Sequence, residues 1–121
     1  MKNVEVKRSK VHGRGLFATA DIAWGTKIIE YMGKVITDLE AERRLKRGAA
    51  FIFELAPDKN IDGADGGNEA RFANHGRENA NCFVLREKGR IWIVAGIEGI
   101  KKGQEILFDY GSDCFPSEET V

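Results

Sequence analysis

Length, composition and charge limit what this chain can be. Its 121 residues suit one domain with a core of its own, predicted here at 1–111 and followed by a short carboxy-terminal tail at 112–121. The 19 basic and 19 acidic residues cancel, which argues against a protein that binds by neutralising phosphates, so no direct nucleic-acid partner is expected.

The amino terminus and the cysteines bear on the compartment. The first residues are charged and lack the apolar stretch of a secretory signal, and the longest apolar run, Ile91–Ile97, is well short of the roughly 20 residues of a membrane-spanning helix. Cys82 and Cys114 form neither a CxxC pair nor a Cys/His group at zinc spacing, so no metal site is expected. We predict an intracellular, cytoplasmic protein without a membrane partner, with the nucleus or a host cell as open alternatives.

Most of the chain shows the apolar–polar alternation typical of β-strands, separated by glycine-containing turns. Gly33 is predicted to bend or bulge the stretch from Lys27 to Val35, and 61–67 is predicted as a loop. Strands are predicted to begin at Val4, Leu16, Lys27, Phe51, Cys82, Ile91 and Glu105. The residues at 87–90 are predicted to close a hairpin.

One short surface helix is predicted over about 38–47. Thr37 and Glu40 have the spacing of a capping box, in which each side chain accepts a hydrogen bond from the other's backbone amide. The basic residues in its last turn favour the helix dipole and indicate a solvated face; a docking surface for a partner is the sharper alternative.

Three polar stretches could form a single pocket if the fold brings them together. They are His12-Gly-Arg-Gly-Leu-Phe17, Arg71-Phe-Ala-Asn-His75 and Phe108-Asp-Tyr-Gly111. Glycines allow a ligand to approach the backbone closely, while the Asn-His pair and the phenol offer hydrogen bonds.

These stretches resemble the motifs of the SET domain protein lysine methyltransferases. The match runs from about Lys7 to Gly111 and includes a fourth motif, Tyr31-Met-Gly-Lys-Val35, which comes second in the family's order; the last motif begins earlier than the stretch above, as Glu105-Ile-Leu-Phe-Asp-Tyr110. Each motif alone is weak evidence, whereas four in order are specific. The resemblance implies a mainly β fold of several small antiparallel sheets, with a threaded (pseudoknot) carboxy-terminal segment and one short surface helix.

The resemblance also implies the site. It makes 1–111 a catalytic domain that transfers methyl groups from S-adenosylmethionine (AdoMet) to a lysine of a protein or peptide substrate. Cofactor-binding residues are expected at His12, Gly13, Arg14, Gly15, Asn74, His75 and Tyr110. Tyr110 and Tyr31 are expected to be catalytic, and Tyr31, Phe108 and Phe115 to line the substrate channel. For Arg14, a solvent-facing turn residue is an equal alternative, and either tyrosine could be an ordinary strand aromatic.

The chemistry fits such a site. AdoMet is a zwitterion with a sulfonium cation, so its pocket needs close backbone approach and polar partners. Methyl transfer is an in-line displacement that depends on alignment and exclusion of water. Desolvation and the sulfonium would both lower the pKa of the substrate lysine and favour its neutral, nucleophilic form.

Two departures from the family pattern bear on the site. The stretch Gly76-Arg-Glu-Asn-Ala-Asn-Cys82 has one extra residue and no proline, and the cysteine-rich segment that often closes the channel is not expected, because Cys114 stands alone. The tail around Phe115, the substrate or a second subunit must then close that side, and a homodimer is predicted. Two alternatives stay open: a SET-like module that binds a peptide or lysine without turnover, and an enzyme that methylates a small-molecule amine.

Overall fold

The computed structural model describes residues 3–76 and 78–109, which form ten strands and one α-helix. The strands are β1 (Val4–Arg8), β2 (Arg14–Ala18), β3 (Lys27–Glu30), β4 (Lys34–Ile36), β5 (Ile52–Ala56), β6 (Lys59–Asp62), β7 (Asn74–His75), β8 (Cys82–Glu87), β9 (Arg90–Ala95) and β10 (Leu107–Phe108). Helix α1 spans Asp38–Lys46, and a 3-10 helix spans Glu69–Phe72. None of the helices in the described ranges is long and apolar enough to cross a membrane.

Small sheets form the described part of the molecule, as predicted. β1 pairs with β2, β6 lies between β4 and β5, and a five-stranded sheet has the order β3-β9-β8-β10-β7. Pairing is antiparallel except at β10, which runs parallel to both β7 and β8. Strands β7 and β8 follow each other in the chain, yet β10 lies between them. This insertion brings residues near the carboxy-terminal end of the described chain beside the Asn74-His75 motif.

The core consists of the inward-facing residues of these sheets. Along β9 the apolar side chains of Ile91 and Ile93 are fully buried, and Leu16 of β2 and Ile106 join them. The short bridge between Ile22 and Ile100 ties the segment before β3 to the segment before β10 through two backbone hydrogen bonds of 2.7 and 2.8 Å. This packing holds the loops of the site on a rigid base.

Helix α1 lies on the surface where the sequence predicted it. The Thr37 hydroxyl accepts from the Glu40 amide at 3.1 Å, which confirms the first half of the predicted capping box. The Glu40 carboxylate, predicted to accept from the Thr37 amide, instead accepts from Arg44 at 2.9 Å. The hydrogen bond from Arg44 lowers the pKa of Glu40, and its bonds to Glu40 and Asp62 raise the pKa of Arg44. Because Arg44 also donates to Asp62 at 2.8 Å, it fastens α1 to β6.

One local prediction is wrong in detail and another is confirmed. The predicted loop at 61–67 begins only at Gly63, because Ile61 and Asp62 belong to β6, a central strand paired on both sides. The predicted break at Gly33 is confirmed, since the stretch from Lys27 to Val35 is divided into β3 and β4 by residues 31–33. A Cβ on Gly33 would lie 2.6 Å from the backbone carbonyl carbon of Asp62, so this close approach of two chains requires glycine.

Candidate functional site

The loop between β1 and β2 forms a backbone cradle that is held from a distant part of the chain. The Asn74 side-chain amide donates to the carbonyl of His12 at 3.1 Å and to that of Arg14 at 3.0 Å, across a sequence separation of at least 60 residues. Gly13 adopts a φ of +47°, in the left-handed region, and Ser9 donates its amide to the Gly13 carbonyl. Two predicted cofactor motifs are thus in direct contact.

The cradle suits a ligand that is bound through main-chain atoms. Apart from Gly13 itself and its two neighbours in the chain, no atom of the described residues lies within 4 Å of the place where a Cβ of Gly13 would be, so the backbone there is open. The side chains of His12 and Arg14 are exposed, and Asn74 is half-buried. An open backbone with fixed carbonyls is what a zwitterionic cofactor such as AdoMet requires. The exposure of Arg14 is compatible with either role predicted for it.

The carboxylate of Glu105 lies behind this cradle. It accepts from the Asn74 amide at 2.9 Å and from the Ser9 hydroxyl at 2.9 and 2.8 Å. Gly15 is buried beneath it, and a Cβ there would collide with the carboxylate. Sequence reasoning included Glu105 in a motif without giving it a role, and it missed Ser9.

Strand β10 joins the cradle to the rest of the site. Leu107 is in register with Asn74 and Phe108 with His75, and the Gly76 amide donates to the Phe108 carbonyl at 2.8 Å. His75 Nε2 lies 3.6 Å from the Asp109 carboxylate, an ion pair when the imidazole is protonated.

The altered loop at 76–82 also holds β10 in place. The Asn81 amide donates to the Glu105 carbonyl, and its oxygen accepts from the Leu107 amide, both at 2.9 Å. Sequence reasoning missed this role of Asn81. At the loop's end, burial raises the pKa of the Cys82 thiol to about 12, so the thiol stays protonated and unreactive at neutral pH.

Three aromatic rings form a buried row beside β10. The ring of Phe53 stands edge-on to Tyr31, with centroids 4.7 Å apart, and lies 5.6 Å from that of Phe108. All three residues are at most 5% exposed. Phe53 therefore links two predicted channel residues, a position that the strand pattern of 51–55 alone did not identify.

The hydroxyl of Tyr31 is already engaged within the protein. It donates to the Phe51 carbonyl at 2.9 Å, and Gly63 lies against it without a side chain. Its hydrogen is used in this bond, so toward any other polar group the hydroxyl oxygen acts as an acceptor. The other predicted residues, Tyr110 and Phe115, lie outside the described residues.

Comparison with known proteins matches the chain to one family. The SET domain family model matches residues 13–111. The chain is 39% identical over 127 residues to histone-lysine N-methyltransferase set-2 of Caenorhabditis elegans and 37% identical over 124 residues to human histone-lysine N-methyltransferase 2B. These alignments cover 98% and 96% of this chain but 8% and 4% of those proteins. The chain thus spans less than a tenth of the length of these relatives.

Solved structures agree. A humanized mutant of the Chaetomium thermophilum Polycomb Repressive Complex 2, bound to the inhibitor GSK343, superposes with a TM-score of 0.80 at 36% identity over 91% of this chain and 15% of that chain. The same coverage, with a TM-score of 0.79 and 33% identity, is found for a structure described as ctPRC2 in an autoinhibited conformation bound to S-adenosylmethionine. The described strands, the joined motifs and the family match lead to one conclusion: the chain belongs to the SET domain family.

Proposed function

We propose that the chain is an AdoMet-dependent methyltransferase that acts on the side-chain amine of lysine in a protein. The observation that carries this proposal is the contact of Asn74 with the carbonyls of His12 and Arg14, which joins two motifs expected to bind the cofactor. Relatives named histone-lysine N-methyltransferases and a similar structure bound to S-adenosylmethionine support it.

In this proposal AdoMet supplies an electrophilic methyl group on a sulfonium. The cradle at 12–15 would hold the cofactor through backbone atoms, and Asn74 would keep the carbonyls of His12 and Arg14 in place. His75 would act together with Asn74 on the cofactor side. Tyr110, assigned by its motif, would orient the amine toward the methyl group.

The aromatic row would form one wall of the lysine channel. Tyr31, Phe53 and Phe108 are buried and apolar around their rings, which suits the methylene stem of lysine and excludes water. The Tyr31 hydroxyl, with its hydrogen donated to Phe51, would accept from the incoming amine. Phe115, which the family resemblance assigns to the channel, would be a further lining residue.

Titration with AdoMet by calorimetry, followed by transfer of labelled methyl to a lysine peptide, tests this proposal. The names of the relatives make histone peptides the first substrates, and the same peptide with an acetylated target lysine is the matched control. We expect AdoMet binding and label only on the free lysine. Undetectable AdoMet binding would defeat the proposal.

The two alternatives predict different results in the same assays. A binding module would retain a lysine peptide without transferring label, and an enzyme for small amines would label free amines but not peptides. The row of buried rings beside β10 favours a side chain with a long apolar stem over a small amine.

We also propose a homodimer in which a second copy covers the open side of the channel. Apolar side chains exposed by about half or more, among them Met32 beside Tyr31, provide surface for such an interface. Light scattering at high concentration tests it, and a monomeric mass would refute it. The intracellular location stays a prediction that cell fractionation would check.

A further inference from the structure

The loop between β1 and β2 is held by more than the Asn74 amide. The Ser9 hydroxyl oxygen accepts from the backbone amides of Val11 at 2.9 Å and His12 at 3.3 Å, so it organises the amide side of the loop. Asn74 organises the carbonyl side through His12 and Arg14. Each of these two side chains also donates a hydrogen bond to the same third group.

That third group is the Glu105 carboxylate. It accepts the hydrogen of the Ser9 hydroxyl with both of its oxygens and accepts from the Asn74 amide at 2.9 Å. Because the hydrogen of the Ser9 hydroxyl points to the carboxylate, the lone pairs of the hydroxyl oxygen point to the amides of Val11 and His12. An ionised carboxylate is acceptor-only, which lets it receive both donors at once, and such charge-assisted bonds are the stronger ones.

The position of Glu105 in the fold makes this arrangement rigid. Glu105 forms an isolated bridge with Phe17 of β2, its carbonyl accepts from Asn81, and the next residue, Ile106, is fully buried. The carboxylate lies over Gly15, where any Cβ would displace it. The backbone of Glu105 is thus fixed while its side chain reaches across β2 to the loop.

We propose that Glu105 and Ser9 are positioning residues for the cofactor: they fix the cradle through the Ser9–Glu105–Asn74 network without touching the ligand. This rests on the proposed function, in which the cradle binds AdoMet. The network would affect cofactor binding and leave the methyl-transfer step unchanged. It would do so by fixing the geometry of the cradle, not by placing a charge next to the ligand.

The test uses Glu105→Gln and Ser9→Ala, with Glu98→Gln on an exposed turn as the matched control. We expect the Kd for AdoMet to rise about tenfold in Glu105→Gln, because one charge-assisted hydrogen bond is lost. The rise should be smaller in Ser9→Ala. AdoMet carries a sulfonium charge and its demethylated product does not, so a geometric role predicts the same rise for both. Peptide KM, and kcat at saturating AdoMet, should stay at wild-type values.

Two further measurements separate this role from general destabilisation. Ile91→Val removes a methylene from the fully buried core and should lower stability without changing Kd. The double variant Ser9→Ala/Glu105→Gln should bind no more weakly than Glu105→Gln alone, because both remove one network. Unchanged Kd in folded Glu105→Gln, or a loss confined to the charged cofactor, would overturn the proposal.

Hydrogen exchange and AdoMet binding together distinguish failure of this inference from failure of the proposed function. In the free protein, Glu105→Gln should speed exchange of the amides of Val11 and His12, and Glu98→Gln should not. A wild-type chain that binds no AdoMet would sink the proposed function. A wild-type chain that binds it, with a variant that binds equally well, would sink only the positioning role.

Discussion

The cradle and the aromatic row, which includes Phe108 of β10, are stabilised in different ways. The cradle is half-open to solvent, and directed hydrogen bonds hold it across long sequence separations: Asn74 donates to its carbonyls, and Glu105 accepts from Asn74 and Ser9. In the row, Tyr31, Phe53 and Phe108 are buried, and ring packing holds them. Substitutions in the row should therefore lower the stability of the protein, whereas substitutions in the cradle should lower the affinity for AdoMet in a protein that still folds.

The strongest test of the row is Phe53→Ala. Phe53 contacts both neighbours in the row, so its truncation leaves a cavity, and we expect a loss of about 3–5 kcal/mol in the free energy of unfolding. Denaturant titration measures this loss. Phe83→Ala, at a half-buried position of β8, should cost clearly less; equal costs would show that the row is not a centre of stability.

Tyr110→Phe tests the methyl-transfer step, which variants of the row and the cradle do not test directly. This variant removes only a hydroxyl, so we expect kcat to fall by about 10²-fold or more, roughly 3 kcal/mol of barrier, with AdoMet binding largely kept. Steady-state kinetics with a lysine peptide measures it. Wild-type turnover would mean that the proposed mechanism must be abandoned even though the family assignment stands.

Asn74→Ala tests the cradle directly. It removes the donor to the carbonyls of His12 and Arg14 and to Glu105, and a loss on the order of 1–3 kcal/mol in AdoMet binding is expected. Calorimetry measures the affinity, and Asn3→Ala at the exposed start of the described chain is the control. A folded variant with unchanged affinity would show that the cradle does not bind the cofactor.

The smallest expected effect is on product state. By its resemblance to the family, Phe108 occupies a position where phenylalanine leaves room for a methylated amine and tyrosine would hold a water that restricts it. We therefore expect more than one methyl to be added, and Phe108→Tyr should shift products toward lower methylation. Mass spectrometry of the peptide at long reaction times checks both points. Phe83→Tyr should leave the product distribution unchanged, and a wild-type chain that stops at one methyl would contradict this prediction.

Local patterns predicted the helix, the hairpin of β8 and β9 and the strand character of the chain, because capping and alternation are encoded within a few residues. Motif resemblance predicted that Asn74 and His12–Gly15 meet. The role of Glu105 could not be predicted this way, since its partners lie at Ser9 and Asn74, and nothing local indicates the pairing. Likewise, the alternation in 51–55 indicated a strand but not that Phe53 would meet both Tyr31 and Phe108.

The place of β10 between β7 and β8 has a consequence for how the molecule is made. Strands β7 and β8 leave the ribosome before β10, so the sheet must keep or reopen a gap until β10 arrives. Closing that gap depends on contacts between distant parts of the chain, and such closure is slow. A newly synthesised chain should therefore carry both β7 and β8 for some time with unpaired edges. Such an intermediate is prone to aggregate through these edges, and chaperones can bind it.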